Sequence, residues 1–178
     1  MPAHDLDKLT WPEVKAEIDG GRDTVVMALG ATEQHGLHMP LATDALLGDH
    51  MALAAALELL DADERASVVA VTDLSVLLQI AQLGESEHGV PLADGGLHAG
   101  EWETSLLLAL HPELVKMESA EAGFTGDLQE AVASMFSGGV ASISPNGAIG
   151  DPTSASREHG ERYWSAIEEI IVEQVDEA

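Results

Sequence analysis

"GATEQHGLHMPLATDALL", residues 30–47, decides how this chain folds, because it reads as a strand end, a loop and the start of a helix. Just upstream, "TVVMALG" (Thr24–Gly30) is apolar and β-branched without alternation, as parallel strands are when both faces are covered. Downstream, "DALLGDHMALAAALELL" (Asp44–Leu60) is helical throughout. The loop between them would therefore lie at the carboxyl end of a strand, where open α/β sheets build their sites. It carries Glu33, His35, His38 and Asp44. Glu33 and His35 are two residues apart, so in an extended segment they project to the same side. Asp44 can return from the first helical turn to complete a three-ligand cluster. Glu-x-His followed by eight residues and Asp suits Zn²⁺ or Mn²⁺, which accept mixed imidazole and carboxylate ligands. The same stretch also fits a solvated polar loop with Asp44 as a helix N-cap.

Working outward, Thr10, Pro12 and Glu13 mark a helix start, and a short surface helix is expected to about Asp19, stopped by Gly20 and Gly21. "ASVVAVTDL" (Ala66–Leu74) reads as a second buried strand and "SVLLQIAQL" (Ser75–Leu83) as a short helix. Residues 84–97 are rich in Gly and Pro and read as an exposed loop. Helices are expected from about Glu101 and within Gly126–Phe136, with a small strand at Val140–Ile143. From about Ser154 to Val175, the spacing of Tyr163, Trp164, Ile167, Ile170 and Ile171 marks a long amphipathic closing helix. Two strands are fewer than a parallel sheet ordinarily has, so a segment of the sheet is missing.

Composition narrows the chemistry. The 178 residues suit a single domain, residues 1–178. There are no cysteines, so any metal must sit on His, Asp and Glu. Against 32 Asp and Glu stand 7 Lys and Arg, a formal net charge of −25. Nucleic acid is thereby excluded as a partner, since phosphate is repelled. Self-repulsion of this size is relieved by salt, and with 46% hydrophobic residues to build a core the composition points to a halophilic protein rather than a disordered one. With no leader-like N-terminus and no apolar run long enough for a bilayer, the expectation is a cytoplasmic protein with no membrane partner.

A second cluster is "HAGEWETS" (His98–Ser105), a histidine just before a helix whose first turn holds Glu101 and Glu103. An imidazole there can give or take a proton near neutrality. Taken alone, capping of the helix by its acidic first turn is the simpler reading.

Together the two stretches resemble the creatininase (creatinine amidohydrolase) family: "GATEQHGLHMPLATD" is similar to its N-terminal metal-binding signature, and "HAGEWETSLLLALHPELV" to its later His-Ala-Gly-Glu-x-Glu-Thr-Ser motif. "GDPTSASREHGE" (Gly150–Glu161) is similar to the segment before its last helix, and "LTWPEVKAEI" also fits. The resemblance implies a three-layer α/β/α sandwich with a mainly parallel sheet, and a dinuclear zinc or manganese centre that hydrolyses a carbon–nitrogen bond in a small cyclic or linear amide. It makes Glu33 and His35 ligands of one metal each and Asp44 the bridge, with His98 and Glu103 the catalytic pair and His98 the proton shuttle. A homo-oligomer is the expected assembly.

The family also takes a His and a Glu from an Asn-Gly-His segment that this chain lacks. The join lies near "ELLDADERASVVAV" (Glu58–Val71), so the chain reads as an internally truncated member holding one metal rather than two. Glu85, Glu87 and His88 are conceivable substitutes, although a solvated acidic loop is the simpler reading. Of the other histidines, His38 could support a ligand from behind, although a loop histidine is more simply read as exposed; His159 is expected to be solvated, and His50 and His111 structural or at the surface. Trp102 is expected in the core or an interface. The alternative function is an impaired family remnant that binds at most one metal and acts by association rather than catalysis.

Overall fold

The structure, a computed structural model, describes residues 6–22, 25–59 and 74–176. Helix α1 (Trp11–Asp19) opens where expected, and the Glu13 carboxylate accepts the Thr10 backbone N–H at 2.8 Å. It buries no side chain and is the surface helix its sequence predicts. Then come α2 (Thr43–Leu59), α3 (Leu74–Leu83), a single π turn at Gly84–His88 and the one-turn α4 (Leu92–Gly95). Three longer helices complete the order: α5 (Glu101–Leu110), α6 (Leu128–Gly138) and α7 (Arg157–Asp176).

The core forms where α7 lies along α5, with α2 and α3 against the pair. The spacing read from the sequence is the buried face of α7: Tyr163, Trp164, Ile167, Ile170 and Ile171 are all inside. A Cβ added at Gly160 would stand 1.9 Å from the Ser105 carbonyl oxygen, so glycine is what lets the two backbones approach. The indole N–H of Trp164 donates to the Leu106 carbonyl at 3.0 Å, satisfying a polar atom that burial would otherwise strand. Trp102 is buried in the same core, as expected.

The sheet is where expectation and structure part. Residues 25–30 have no strand partner, and Val25, Met27 and Leu29 are 67%, 74% and 83% exposed. A strand buried on both faces needs ladder neighbours and helices on both sides; among the described residues, 25–30 have no ladder partner, and only α2 comes close, at Ala28–Gly30. Of the second expected strand, residues 66–73 lie outside the described residues, and Leu74 opens α3. Among the described residues the architecture is thus helical, with isolated bridges only, and the parallel-sheet sandwich is not found there.

What remains of extended pairing lies elsewhere. Leu97 N–H donates to the Ile149 carbonyl at 2.9 Å and Ile149 N–H to that of His98 at 2.7 Å. On the other side of this length, Phe124 N–H donates to the Ala148 carbonyl at 3.0 Å and Gly123 N–H to that of Gly150 at 2.9 Å. Three short lengths therefore run side by side, and the middle one falls after the predicted strand at Val140–Ile143, which is instead a 3-10 turn, Val140–Ser142. The stretch predicted as an exposed loop, 84–97, contributes buried Val90 and Gly95 and carries the backbone into His98. No helix among the described residues is long and apolar enough to cross a membrane.

Candidate metal centre

The loop after residue 30 folds back on itself. Glu33 N–H donates to the Leu41 carbonyl at 3.1 Å, and Gly36 takes a left-handed turn at φ 63°. This reversal sends His35, His38 and Met39 inward and leaves Glu33, Gln34 and Leu37 outside. Asp44 follows in the first turn of α2, so the loop and the helix start face each other.

His35 is 1% exposed, and its two ring nitrogens meet different chemistry. Nδ1 lies 3.2 Å from the Glu33 carbonyl oxygen, which can only accept, so Nδ1 carries the hydrogen. Nε2 lies 2.9 Å from Asp44 Oδ1 and 3.8 Å from Glu103 Oε1. In a neutral imidazole held this way, the Nε2 lone pair points at two carboxylates. That arrangement calls for a cation between them, a proton or a metal ion. A backbone carbonyl on the far nitrogen is also the usual way a metal-ligating histidine is oriented.

Glu103 is held from the other side, its Oε2 accepting the Ala99 N–H at 2.5 Å. Ala99 is fully buried with φ 52°, a left-handed conformation that an alanine adopts at a strain of about 1–3 kcal/mol. The strained residue turns the chain between His98 and α5 and aims its N–H at Glu103. Burial pushes the Glu103 carboxyl above its ordinary range, opposed first by the neighbouring His35.

His98 is 5% exposed and fixed by its backbone pairing with Ile149. Its Nε2 lies 2.6 Å from the Gln34 backbone carbonyl and 3.0 Å from the Gln34 side-chain nitrogen; the shorter contact, to an atom that can only accept, puts the hydrogen on Nε2 and the lone pair on Nδ1. The His35 and His98 rings are 4.5 Å apart and tilted by 41°. Two trios have ligand atoms that all lie within 4.8 Å of one another: Glu33, His35 and His98, and His35, Asp44 and Glu103. His35 belongs to both. Glu33 and Asp44 fall in different trios, whereas the spacing in the sequence suggested one cluster of Glu33, His35 and Asp44.

Other histidines fall differently from expectation. His38 is buried, not exposed: its Nε2–H donates to Thr104 Oγ1 at 2.8 Å, and that hydroxyl donates to the Gly100 carbonyl at 2.7 Å. Burial, then the charge of His35, lowers its pKa to about 4, so it is neutral at ordinary pH. His159 is only partly exposed, and its Nδ1 lies 2.7 Å from Oε1 of the fully buried Glu101. Glu101 also accepts from Ser105 Oγ at 2.7 Å and Tyr163 OH at 2.9 Å. Burial first, then Glu101, pushes the Tyr163 phenol up. Of the conceivable substitute ligands, Glu85 is exposed, Glu87 pairs with Arg162 at 3.0 Å, and His88 stacks on His159 at 4.0 Å. None of them joins either trio. His50 and His111 are partly exposed beside Glu168 and Glu113.

With this geometry in hand, a model of the creatinine amidohydrolase (Creatininase) family matches the chain in two overlapping stretches, residues 7–88 and 64–175. The overlap, residues 64–88, takes in part of the region, Glu58–Val71, where the sequence suggests an internal join. A mycofactocin precursor peptide peptidase from Mycolicibacterium smegmatis is 30% identical over 198 aligned residues, covering 80% of each chain. That alignment is longer than this chain's 178 residues, so parts of the relative have no counterpart here. The peptidase of the same description from Mycobacterium ulcerans is 40% identical over 83 residues, 47% of this chain and 33% of that protein. In that match the chain spans only a third of its relative's length. Among solved structures, a mutant creatininase described as Zn-Zn type superposes with a TM-score of 0.66, at 19% identity, over 97% of this chain and 96% of that one. At that identity the likeness concerns the fold alone.

Proposed function

Because this chain belongs to the creatininase family of hydrolases, we propose that it is a metal-dependent amidohydrolase cleaving a carbon–nitrogen bond, with its ion seated at His35 and Asp44. The observation that carries this reading is the His35 ring, with Nδ1 on a backbone carbonyl and Nε2 facing two carboxylates. Imidazole with carboxylates suits Zn²⁺ or Mn²⁺. An ion held by His35 and Asp44 would supply polarisation of the amide carbonyl and activation of a water for attack.

The chain's own residues supply the rest. Glu33, on the outer side of His35, adds a negative charge at the mouth of the site and is the further ligand that the family likeness nominates. His98 holds its Nε2 hydrogen on the Gln34 carbonyl, so Nδ1 is the position at which it takes a proton and passes it to the departing nitrogen. Glu103 and Ala99 hold the start of α5 against this ring pair, fixing the distance between His98 and His35. The relatives named as peptide peptidases favour a peptide-like amide over a small ring. The three-layer sandwich of the family, a homo-oligomeric assembly, a cytoplasmic setting and salt-loving behaviour complete the reading.

The test is hydrolysis by protein prepared in high salt and supplied with Zn²⁺ or Mn²⁺, assayed on short peptide amides and on creatinine. Release of amine that stops on chelation and falls by about 10²–10⁴ in His98→Gln is expected. Metal-loaded protein that cleaves no amide would leave the impaired remnant as the correct reading.

A further inference from the structure

We infer that the ion is held singly by His35, Asp44 and Glu103, so that Glu103 serves as a metal ligand and Glu33 does not. This rests on the metal-dependent reading above and deepens it. The two trios share His35, but an imidazole whose Nδ1 is spent on the Glu33 carbonyl has one lone pair left. They are therefore competing sites, not two halves of one centre.

Three observations decide between them. First, Nε2 is the nitrogen that faces Asp44 at 2.9 Å and Glu103 at 3.8 Å. Second, Glu103 is preorganised: Ala99 N–H anchors Oε2, which leaves Oε1 turned to His35. Glu33, by contrast, is an exposed side chain whose ordering would have to accompany binding. Third, with its Nε2 hydrogen on the Gln34 carbonyl, His98 could ligate only through Nδ1, the atom at which the proposed reaction has it take a proton, so the other trio would cost the site its shuttle. The favoured trio offers one nitrogen and two carboxylates, with the remaining coordination positions left to water. That is the make-up of a catalytic rather than a purely structural site. It also gives an internally shortened chain a way to bind an ion without the ligands of the missing segment: a carboxylate from the first turn of α5 stands in.

The experiment is titration of the full chain, in molar salt and freed of metal, with Co²⁺ and Mn²⁺. Stoichiometry is read by equilibrium dialysis and the ligand field by the Co²⁺ visible spectrum. One ion per chain is expected. Glu103→Gln should weaken binding by more than about tenfold and alter the Co²⁺ spectrum, while Glu33→Gln changes affinity less than about threefold, since each true ligand is worth at least what its supporting partners are. Two ions per chain, or Glu103→Gln binding like the parent, or Glu33→Gln losing as much as Glu103→Gln, overturns the assignment. Melting of each variant without metal checks its fold. Should Glu103→Gln fail to fold, the stoichiometry and the Glu33→Gln arm decide alone: one ion held with parental affinity supports the site, and loss or a second ion overturns it. Amide hydrolysis, assayed separately, keeps the two readings apart. Activity with Glu33 as the essential ligand sinks the assignment but not the function. One ion on Glu103 with no hydrolysis does the reverse.

Discussion

His38 shows how a residue's role can be set by a partner 66 positions away. As a loop histidine it read as exposed, yet Thr104, in the first turn of α5, takes its Nε2–H and buries it. The sign of its effect on stability follows from the depressed pKa. Between about 4 in the fold and 6.5 in the unfolded chain, the unfolded state binds more protons. Stability should therefore fall as pH drops through that window, at up to about 1.4 kcal/mol per pH unit from this one group. Glu103 acts oppositely: its raised carboxyl contributes stability that is lost as pH rises through its folded value. The parent's slope mixes both, so the measurement is a difference. Urea unfolding of the parent and of His38→Gln across pH 4 to 6.5 should show the parent losing more stability at the acid end. Parallel curves would mean that His38 titrates normally. At this scale the sequence made His35, Asp44 and His98 legible as neighbours, because each sits in a compact motif. The division between Glu33 and Asp44 was not legible, because it depends on which way the loop reverses at Gly36.

Between elements, the strongest tie is the buried carboxylate of Glu101, which joins its own helix to α7. It accepts from Ser105 within α5 and from His159 and Tyr163 across the contact. Replacing it strands the fully buried Ser105 and Tyr163 hydroxyls, each at about 1–3 kcal/mol, while His159 keeps some access to water. Glu101→Ala should therefore lower unfolding free energy by several times the loss in Tyr163→Phe, which removes one bond and should lose about 1–2 kcal/mol. Equal losses in chemical denaturation would show that Glu101 is not the hub. Gly160→Ala probes the same contact sterically, since the added Cβ meets the Ser105 carbonyl at 1.9 Å. A loss of about 1–3 kcal/mol is expected. The helices were legible because caps, breakers and apolar spacing are local signals, and α1, α3, α5, α6 and α7 fall within a few residues of their expected limits. The strand expected at 24–30 is not found over the described residues 25–30, because a strand is completed by its neighbours, and apolar β-branched residues alone do not provide a ladder.

At the scale of the whole molecule, charge dominates. Net charge is −25, and the described cations are largely committed to nearby carboxylates: Lys15 to Asp19, Arg22 to Glu17, Arg157 to Glu161 and Arg162 to Glu87. All four pairs are partly or well exposed, so each contributes little, and most acidic side chains have no cation to meet. Repulsion among them opposes compaction until salt screens it. Two effects of salt must be separated, because concentrated salt also strengthens apolar burial. Screening does most of its work early: the Debye length falls from about 10 Å at 0.1 M to about 3 Å at 1 M, beyond which little repulsion remains to remove. Apolar strengthening has no such plateau. The melting temperature should thus climb steeply in KCl below roughly 1 M and more gently above it. Sucrose, which strengthens burial without screening, should give only the gentle part. A melting temperature that is flat or falling over the first molar of KCl, or a rise that sucrose reproduces in full, would mean that the acidic surface does not govern stability and that the halophilic reading fails.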